Sequence, residues 1–518
     1  LRIKSKVIIT EMIASSSSAE PKDSSTVAPV SNEQPVQSPN TTEQSNQEQQ
    51  ELQILIPQWQ AMTFPDAYLP LLIAYVNSAD VKMQYCGVIG LRKLLSNQHS
   101  LPIQPVLDSG IVPTLTQIVQ TSLNTTIQRE AACALSNLCS GTPQQTQKVV
   151  DQGVIPCFIS RLDSPYEDLI EKCLLGLGNI AGDSAGIRDC IIQHGAIEPM
   201  MKVVEKTTLL STKTQGTWAL SNIFKTKPTP PSTITSKVLP FFCNLLKTEE
   251  TSDVLSDAAW GVLHCSMTSE AIDFIISSDV SSRLVSLLSN SSLTIVVPCL
   301  RAVGNIVSGS DEQTEAILKE KELFPSLMKL IESPVKSIRR DVFWVFSNLA
   351  LGSSDDIETI MGDPAFMEKV ISTAKNDKSI DVRREAVFVL ANYVVTHIPA
   401  FGTYDCLIEL LKASKEKMLL VVLEGIEKCL KHGKQWELND ENGGNKILVP
   451  LKNNEVVQNL EALKSHSDGQ VCKIVARILK NYFGFDEDSE EEDEENDEED
   501  EEEEGEGDDN KEVASSAG

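Results

Sequence analysis

The segment WALSNIFKTK, residues 218–227, decides the fold of this chain, because segments of the same pattern recur along it. The others are CALSNLCSGT (133–142), LGLGNIAGDS (175–184), RAVGNIVSGS (301–310), WVFSNLALGS (344–353) and FVLANYVVTH (388–397). All carry an asparagine at one shared position: Asn137, Asn179, Asn222, Asn305, Asn348 and Asn392. His264 takes that position between Asn222 and Asn305, and the successive spacings are 42, 43, 42, 41, 43 and 44 residues.

A period near 42 residues is typical of HEAT and armadillo arrays, in which every unit is a small group of helices. Within a unit, a short helical segment ends at a glycine such as Gly153 or Gly195, and a second apolar helix follows it. No unit buries its apolar face alone, so neighbouring units stack into a solenoid with a long concave surface. The sequence therefore predicts an all-α, right-handed superhelical solenoid, with weaker units on both sides of the clear ones.

Composition divides the 518-residue chain into three zones. Residues 1–50 are rich in Ser, Thr, Gln, Asn and Pro, and such a segment buries too little apolar surface to become ordered. Residues 51–485 carry the helical periodicity and form the predicted solenoid. Residues 486–518 are predicted to be a disordered tail, since they hold 20 Asp and Glu and no Lys or Arg between Asp486 and Asp509.

The charge balance points to a basic partner. The formal net charge is −29, and without the tail the chain still carries −9. Nucleic-acid binding needs clustered Lys and Arg, so we expect a basic protein or peptide instead. No apolar run approaches the roughly 18 residues of a membrane span.

Residues for catalysis are missing from the sequence. It contains no Walker loop, dinucleotide fingerprint or nucleophile elbow. The 12 cysteines are scattered singly and show no metal-ligand spacing. We therefore expect a protein that is not an enzyme and that has no metal or cofactor site.

The recurring pattern aromatic-x-x-x-Asn indicates a peptide-binding surface, because the spacing i, i+4 puts both side chains on one helix face. A carboxamide offers a donor and an acceptor to an extended backbone, and Trp rings form slots for Lys and Arg stems. Taken singly, a helical Trp is more often core and an Asn near a helix end more often a cap. Repetition at one position favours the ligand interpretation.

Three carboxylates are candidates for pairing with a basic ligand. Asp183 lies one turn after Asn179, and Asp341 and Glu385 precede Trp344 and Phe388 by three residues each. They are placed to rim the groove. For each of them, a solvated surface carboxylate is about as good an interpretation.

On these residues the chain resembles the importin alpha family of nuclear import adaptors, over roughly residues 67–490. The stretches that carry the resemblance are LGNIAGDSAGIRDCIIQHGAIEP (177–199), TWALSNIF (217–224), PCLRAVGNIVSGSDEQT (298–314) and LKNNEVVQNLEALKSHSDGQVCKIVARILKNYFGFDED (451–488). It implies about ten armadillo repeats, a groove that binds nuclear localisation signals in two regions, and residence in cytoplasm and nucleus. The partners it implies are basic cargo proteins, importin-beta and an export receptor.

The predicted site residues form two sets. The major region comprises Asn137, Thr142, Asn179, Asp183, Trp218, Asn222 and Trp260. The minor region comprises Arg301, Asn305, Asp341, Trp344, Asn348, Glu385, Phe388 and Asn392.

The chain departs from the family pattern at several places. Cys133 and Leu175 stand where the family has Trp, and Lys172 stands where it has Gln. These changes weaken the major region, so we expect basic peptides to favour the minor one. The family's basic importin-beta-binding segment is expected either to be absent or to lie upstream of Leu1, since residues 1–50 hold only Arg2, Lys4, Lys6 and Lys22. An armadillo scaffold outside the import pathway therefore stays open as the alternative function.

Overall fold

The computed structural model describes residues 64–96, 101–352, 357, 361–396, 402–413, 416–439, 451 and 454–485. Throughout these residues the regular elements are helices. The segments 1–50 and 486–518, both predicted to be disordered, lie outside the described residues.

The described helices fall into ten consecutive units, after a 3-10 turn at Asp66–Tyr68. Unit 1 comprises α1 (Leu69–Val76) and α2 (Val81–Leu94), and unit 2 comprises α3 (Ile103–Asp108), α4 (Val112–Thr121) and α5 (Thr125–Leu138). Unit 3 comprises α6 (Pro143–Val150), α7 (Val154–Arg161) and α8 (Glu167–Asp183), and unit 4 comprises α9 (Ala185–Gln193), α10 (Ile197–Lys206) and α11 (Leu210–Lys225). Unit 5 comprises α12 (Ser232–Thr248) and α13 (Ser252–Cys265). Units 6 to 10 comprise α14 (Ser269–Ser277), α15 (Val280–Leu287) and α16 (Leu293–Val307); α17 (Asp311–Leu318), α18 (Leu323–Ile331) and α19 (Lys336–Leu349); α20 (Pro364–Asn376) and α21 (Ile380–Thr396); α22 (Thr403–Ala413) and α23 (Glu416–Asn439); α24 (Asn454–Ala462) and α25 (Gly469–Phe483).

In units 3 and 4 the turn between the first two helices contains a glycine in the left-handed conformation. Gly153 has φ 80° and Gly195 has φ 71°, and both precede the second helix of their units, as predicted. A glycine adopts this backbone conformation without the Cβ clash that other residues meet. In unit 6 the same turn is made by Asp279, at φ 61°.

The last helix of every unit packs on the last helix of the next, in the order α2, α5, α8, α11, α13, α16, α19, α21, α23 and α25. We call the surface formed by this row the ladder face. A single cluster of buried apolar side chains runs beneath it from Phe64 to Leu479. Each unit thus buries its apolar face against its neighbours, and the all-α solenoid of about ten repeats is confirmed. Among the described helices, none is both long and apolar enough to cross a membrane.

Candidate functional site

The recurring asparagines occupy one fixed position in the helices of the ladder face. Each is the thirteenth residue of its helix: Asn137 in α5, Asn179 in α8, Asn222 in α11, Asn305 in α16, Asn348 in α19 and Asn392 in α21. His264 is the thirteenth residue of α13. Because the helices stack in register, these residues form a single line, which we call the ladder.

Most ladder asparagines donate a hydrogen bond to the unit before their own. Nδ2 of Asn179 lies 3.0 Å from the carbonyl oxygen of Ser136, and Nδ2 of Asn222 lies 3.2 Å from that of Gly178. Asn392 donates in the same way to Ser347, at 2.8 Å. Asn137 donates to the hydroxyl of Ser96 and Asn305 to that of Ser266, at 3.0 and 2.9 Å.

Asn348 differs from the other five, because its Nδ2 bonds the carbonyl of Trp344 in its own helix, at 3.0 Å. In each ladder asparagine one amide hydrogen is therefore already used inside the solenoid. Except in Asn392, whose Oδ1 accepts a hydrogen bond from Nζ of Lys428 at 2.8 Å, the other amide hydrogen and the oxygen remain for a peptide.

The two predicted regions differ in exposure. Asn137, Asn179, Asp183 and Trp218 are half-buried, and Trp260 is too. In the minor region Phe388 alone is half-buried, while its other predicted residues are buried: Arg301, Asn305, Asp341, Trp344, Asn348, Glu385 and Asn392. The major region is therefore the more accessible of the two, whereas basic peptides were expected to favour the minor region.

The aromatic residues lie across the preceding unit, where glycine makes room for them. The rings of Trp218 and Trp344 cover Gly178 and Gly304, and a Cβ on either glycine would overlap the ring. Trp344 is only 3% exposed. The ring of Trp344, expected to form a slot for a Lys or Arg stem, is therefore packed against the preceding unit, although its buried Nε1 has no hydrogen-bond partner among the described residues.

Charged side chains of the minor region pair with one another. Nε of Arg301 lies 2.7 Å from Oδ2 of Asp341, and Nη2 of Arg340 lies 2.6 Å from its Oδ1. Asp341 is 1% exposed, so it is neither an unpaired carboxylate at the rim of the groove nor a solvated surface carboxylate. Nη1 of Arg301 keeps no partner in the described part of the chain.

Glu385 is a buried carboxylate without adequate partners. It is 1% exposed, so the solvated alternative is wrong here too. Both of its oxygens lack a hydrogen bond among the described residues, and the nearest cation, Arg384, lies 3.9 Å away. Burial raises the pKa of Glu385 to about 7, although Arg384 and Arg340 act to lower it. A cation brought by a ligand would stabilise its charged form.

His264 interrupts the ladder between the two regions. Its ring lies 5.5 Å from that of Trp260, centroid to centroid. Burial lowers the pKa of His264 to about 3, helped by the charges of Lys227 and Lys225. The imidazole is therefore neutral at physiological pH.

Two predicted residues of the major region lie at helix ends. Thr142 is the N-cap of α6, where its hydroxyl accepts a hydrogen bond from the backbone amide of Gln145 in a capping box. This is a structural role, and Thr142 is also exposed. Burial raises the pKa of Asp183, partly offset by a hydrogen bond with Thr146. Oδ2 of Asp183 has no partner among the described residues, so it is placed to accept one from a ligand.

Sequence analysis missed the ion pairs at the first units of the ladder face. Glu130 accepts from Nε of Arg92 at 2.7 Å and from Nη2 of Arg129 at 2.6 Å. Lys172, named as unfavourable for a basic ligand, pairs with Glu171 at 2.9 Å. Glu130, Lys172, Asp341 and Glu385 are all the sixth residue of their helices, and counting from the asparagine would have found Glu130. In the described residues no cluster of His, Cys, Asp and Glu is arranged to hold a metal ion.

Comparison with known proteins follows this geometry. The family model of the armadillo/beta-catenin-like repeat matches residues 99–140, 142–182 and 268–308. Importin subunit alpha-1b of Oryza sativa subsp. japonica is 31% identical over 427 residues, which cover 81% of this chain and 80% of that protein. The chain belongs to the importin alpha family. Importin subunit alpha-3 of Arabidopsis thaliana is likewise 31% identical, covering 82% of this chain and 81% of that protein.

A solved structure shares the fold of this chain. The crystal structure of an engineered protein superposes with a TM-score of 0.68 at 22% identity, covering 80% of this chain and 98% of that one.

Proposed function

We propose that this importin alpha family member is a nuclear import adaptor that holds extended, Lys- and Arg-rich signal peptides of cargo proteins against the ladder face. One observation carries the proposal. The ladder asparagines are fixed by Nδ2, and in Asn137, Asn179, Asn222, Asn305 and Asn348 the carboxamide oxygen makes no hydrogen bond within the described residues. A line of fixed, unpaired acceptors suits the backbone amides of an extended chain.

The spacing of the ladder fits an extended peptide. Packed helices lie about 8–10 Å apart, and a strand advances about 3.3 Å per residue. One asparagine therefore meets about every third peptide residue. Contacts of this kind bind the peptide backbone, and other groups of the groove select the side chains of the peptide.

Selection for basic side chains comes from carboxylates and aromatic faces along the same line. Asp183 and Glu385 each have an unpaired oxygen among the described residues, and a Lys or Arg of the ligand supplies the missing partner. Trp218 and Trp260 are half-buried, so each offers part of a ring to a cationic stem. These groups favour Lys and Arg over neutral residues.

The exposure of the major region makes it the first place of contact. Asn179, Asp183 and Trp218 are accessible as they stand, whereas Trp344 and Glu385 must move to admit a ligand. We therefore propose that a peptide binds between Asn137 and Asn222 first and that the minor region takes a second basic cluster. In this function the chain works with importin-beta and an export receptor, in cytoplasm and nucleus.

The test is peptide binding by fluorescence anisotropy. A labelled Lys/Arg-rich peptide is titrated with the wild type, with the double variant Asn179→Ala/Asn222→Ala and with Asn244→Ala. Asn244 is an exposed residue of α12, away from the ladder, and serves as the control. Two lost hydrogen bonds predict about tenfold weaker binding for the double variant and no change for the control.

Equal affinity of the double variant and the wild type would refute the groove assignment, and so would equal binding of a Gly/Ser peptide of the same length. Melting temperatures accompany the titration, because Asn179 and Asn222 also bond the preceding units. Affinity purification from a cell extract then separates the alternatives. Recovery of importin-beta supports the adaptor, and binding of the basic peptide without any transport receptor supports the scaffold.

A further inference from the structure

The ladder helices share a second recurring position, four residues before each asparagine and before His264. It is the ninth residue of each helix, and from unit 4 to unit 8 it is aromatic except in unit 6, where it is arginine: Trp218, Trp260, Arg301, Trp344 and Phe388. In units 2 and 3 the same position holds Cys133 and Leu175. The ladder face therefore carries smaller apolar side chains at these two units.

Cys133 and Leu175 occupy neighbouring helices of the ladder face. α5 packs on α8, and Ser136 fixes the register between them. Its hydroxyl donates to the carbonyl of Lys172 at 2.7 Å, and its carbonyl accepts from Asn179 at 3.0 Å. Leu175 lies between these two residues of α8, and both Cys133 and Leu175 are half-buried. Part of each side chain is therefore open to a ligand on the ladder face.

Ion pairs join the charged residues of this stretch to one another. They link Arg92 and Arg129 to Glu130, Arg129 to Asp168, and Lys172 to Glu171. Glu130 uses both of its oxygens in these pairs. A Lys or Arg of a ligand would have to compete with the cations of the chain for these carboxylates, whereas the methylene groups of an aliphatic residue need no such partner.

The charges near Cys133 also disfavour a cation. Burial raises the pKa of its thiol, while the charges of Arg92 and Lys172 act to lower it. Glu130 acts to raise this pKa and Arg129 to lower it. Three positive groups and one negative group therefore act at this point, and a ligand ammonium placed there is repelled.

The groups that suit a basic side chain lie elsewhere on the ladder face. Trp218 and Trp260 are the half-buried rings of units 4 and 5. Asp183, whose Oδ2 has no hydrogen-bond partner among the described residues, follows Leu175 by eight residues, about 12 Å along α8. The basic and the aliphatic positions of the groove are therefore separate.

We propose that Cys133 and Leu175 form a subsite for an aliphatic side chain of the bound peptide, beside the positions that take Lys and Arg. The inference rests on the proposed function and deepens it, because it adds an aliphatic residue to the ligand class. Leu175 lies one ladder helix before Trp218, about 8–10 Å away, and an extended chain covers that distance in about three residues. The ligand is therefore a peptide in which a leucine, isoleucine or valine stands at that distance from a basic cluster.

The experiment compares three labelled peptides of about 12 residues, which span units 2 to 5 at about 3.3 Å per residue. All have the same basic centre. In the first, the residues on both sides of the centre are lysines; in the other two, the lysines on the amino or the carboxyl side are replaced by norleucine. Norleucine keeps the unbranched stem of lysine and lacks its ammonium group, and the two norleucine peptides carry equal net charge.

The wild type is expected to bind one norleucine peptide roughly fivefold more tightly than the other, as for burial of about half of one aliphatic side chain. That peptide should bind at least as tightly as the all-lysine peptide, although it carries fewer positive charges. In Leu175→Gln the two norleucine peptides should bind alike. Leu210→Gln is the matched control and should keep the difference, because Leu210 is 52% exposed and begins α11, away from the ladder.

Melting temperatures check that the variants are folded, and Leu175→Ala is a second variant that removes apolar surface without adding a polar group. Equal binding of the two norleucine peptides by the wild type, or weaker binding of both than of the all-lysine peptide, overturns the inference and leaves the adaptor function standing. A difference that persists in both Leu175 variants likewise overturns it. If the wild type binds none of the three peptides, the proposed function fails at the groove, and the inference fails with it.

Discussion

The buried carboxylate of Glu385 predicts that basic peptides bind the minor region more weakly as pH falls. Its pKa is about 7 in the free protein because burial disfavours the charged form. A bound Lys or Arg stabilises the carboxylate and lowers the pKa toward its ordinary value of 4.5. Binding then requires a proton to leave at any pH between these values, so acid opposes it.

The magnitude follows from the size of that shift. At pH 8 Glu385 is ionised in nearly all molecules, whereas at pH 6 it is ionised in only about one in ten. The affinity of the minor region for a basic peptide should therefore fall about tenfold from pH 8 to pH 6. The charged groups that influence Glu385 are Arg384, Arg340, Asp341 and Asp381.

The assay is peptide titration at fixed ionic strength from pH 6 to pH 8, with the wild type and Glu385→Gln. The peptide carries two basic clusters, so that one reaches the minor region. The wild type should show the tenfold change and Glu385→Gln a nearly flat profile. His264 does not interfere, because its pKa of about 3 leaves it neutral throughout. A slope that persists unchanged in Glu385→Gln would refute the assignment of the proton to Glu385.

Two further predictions concern stability. Gly304→Ala should lower the free energy of unfolding by about 1–3 kcal/mol, because the added Cβ overlaps the ring of Trp344; thermal unfolding measures this, and Gly186→Ala, with no atom within 4 Å of its added Cβ, should show no such loss. His264→Asn should reduce the loss of melting temperature between pH 7 and pH 5. The lowered pKa of His264 means that the unfolded chain takes up a proton below about pH 6.5 that the folded chain refuses, so folding weakens as pH falls. If wild type and variant lose stability in parallel over this range, the burial of His264 is not the cause.

Sequence periodicity predicted the unit, the row of asparagines and the glycine turns, because each of these is encoded within one helix pair. It did not predict the burial of Trp344 and Asp341, since burial depends on what the preceding unit places opposite them, such as Gly304 for Trp344 and Arg301 for Asp341. Both pairs are separated by 40 residues, but the sequence alone does not show which residues of one unit lie opposite those of the next.

Lys428 is the thirteenth residue of α23 and so occupies the ladder position of unit 9, and sequence analysis did not identify it for a related reason. Counting one period of 43 residues on from Asn392 leads to Gln435, not to the lysine. The connection between α21 and α23 is shorter than in other units, so position within the helix, rather than interval along the chain, identifies it. Only the helix bounds supply that count.

The hydrogen bonds from ladder asparagines to the preceding unit couple ligand recognition to the flexibility of the solenoid. Asn179 and Asn222 each donate to a backbone carbonyl of the preceding unit, so the side chain that is proposed to bind a ligand also fixes the angle between neighbouring units. In a solenoid of this kind each unit contacts only its neighbours, so bending is distributed over many junctions between units. A ligand that forms a second hydrogen bond with such a carboxamide stiffens the junction between the two units that the asparagine connects. Peptide binding in the groove is therefore expected to stiffen the superhelix locally, at the junctions that the peptide occupies.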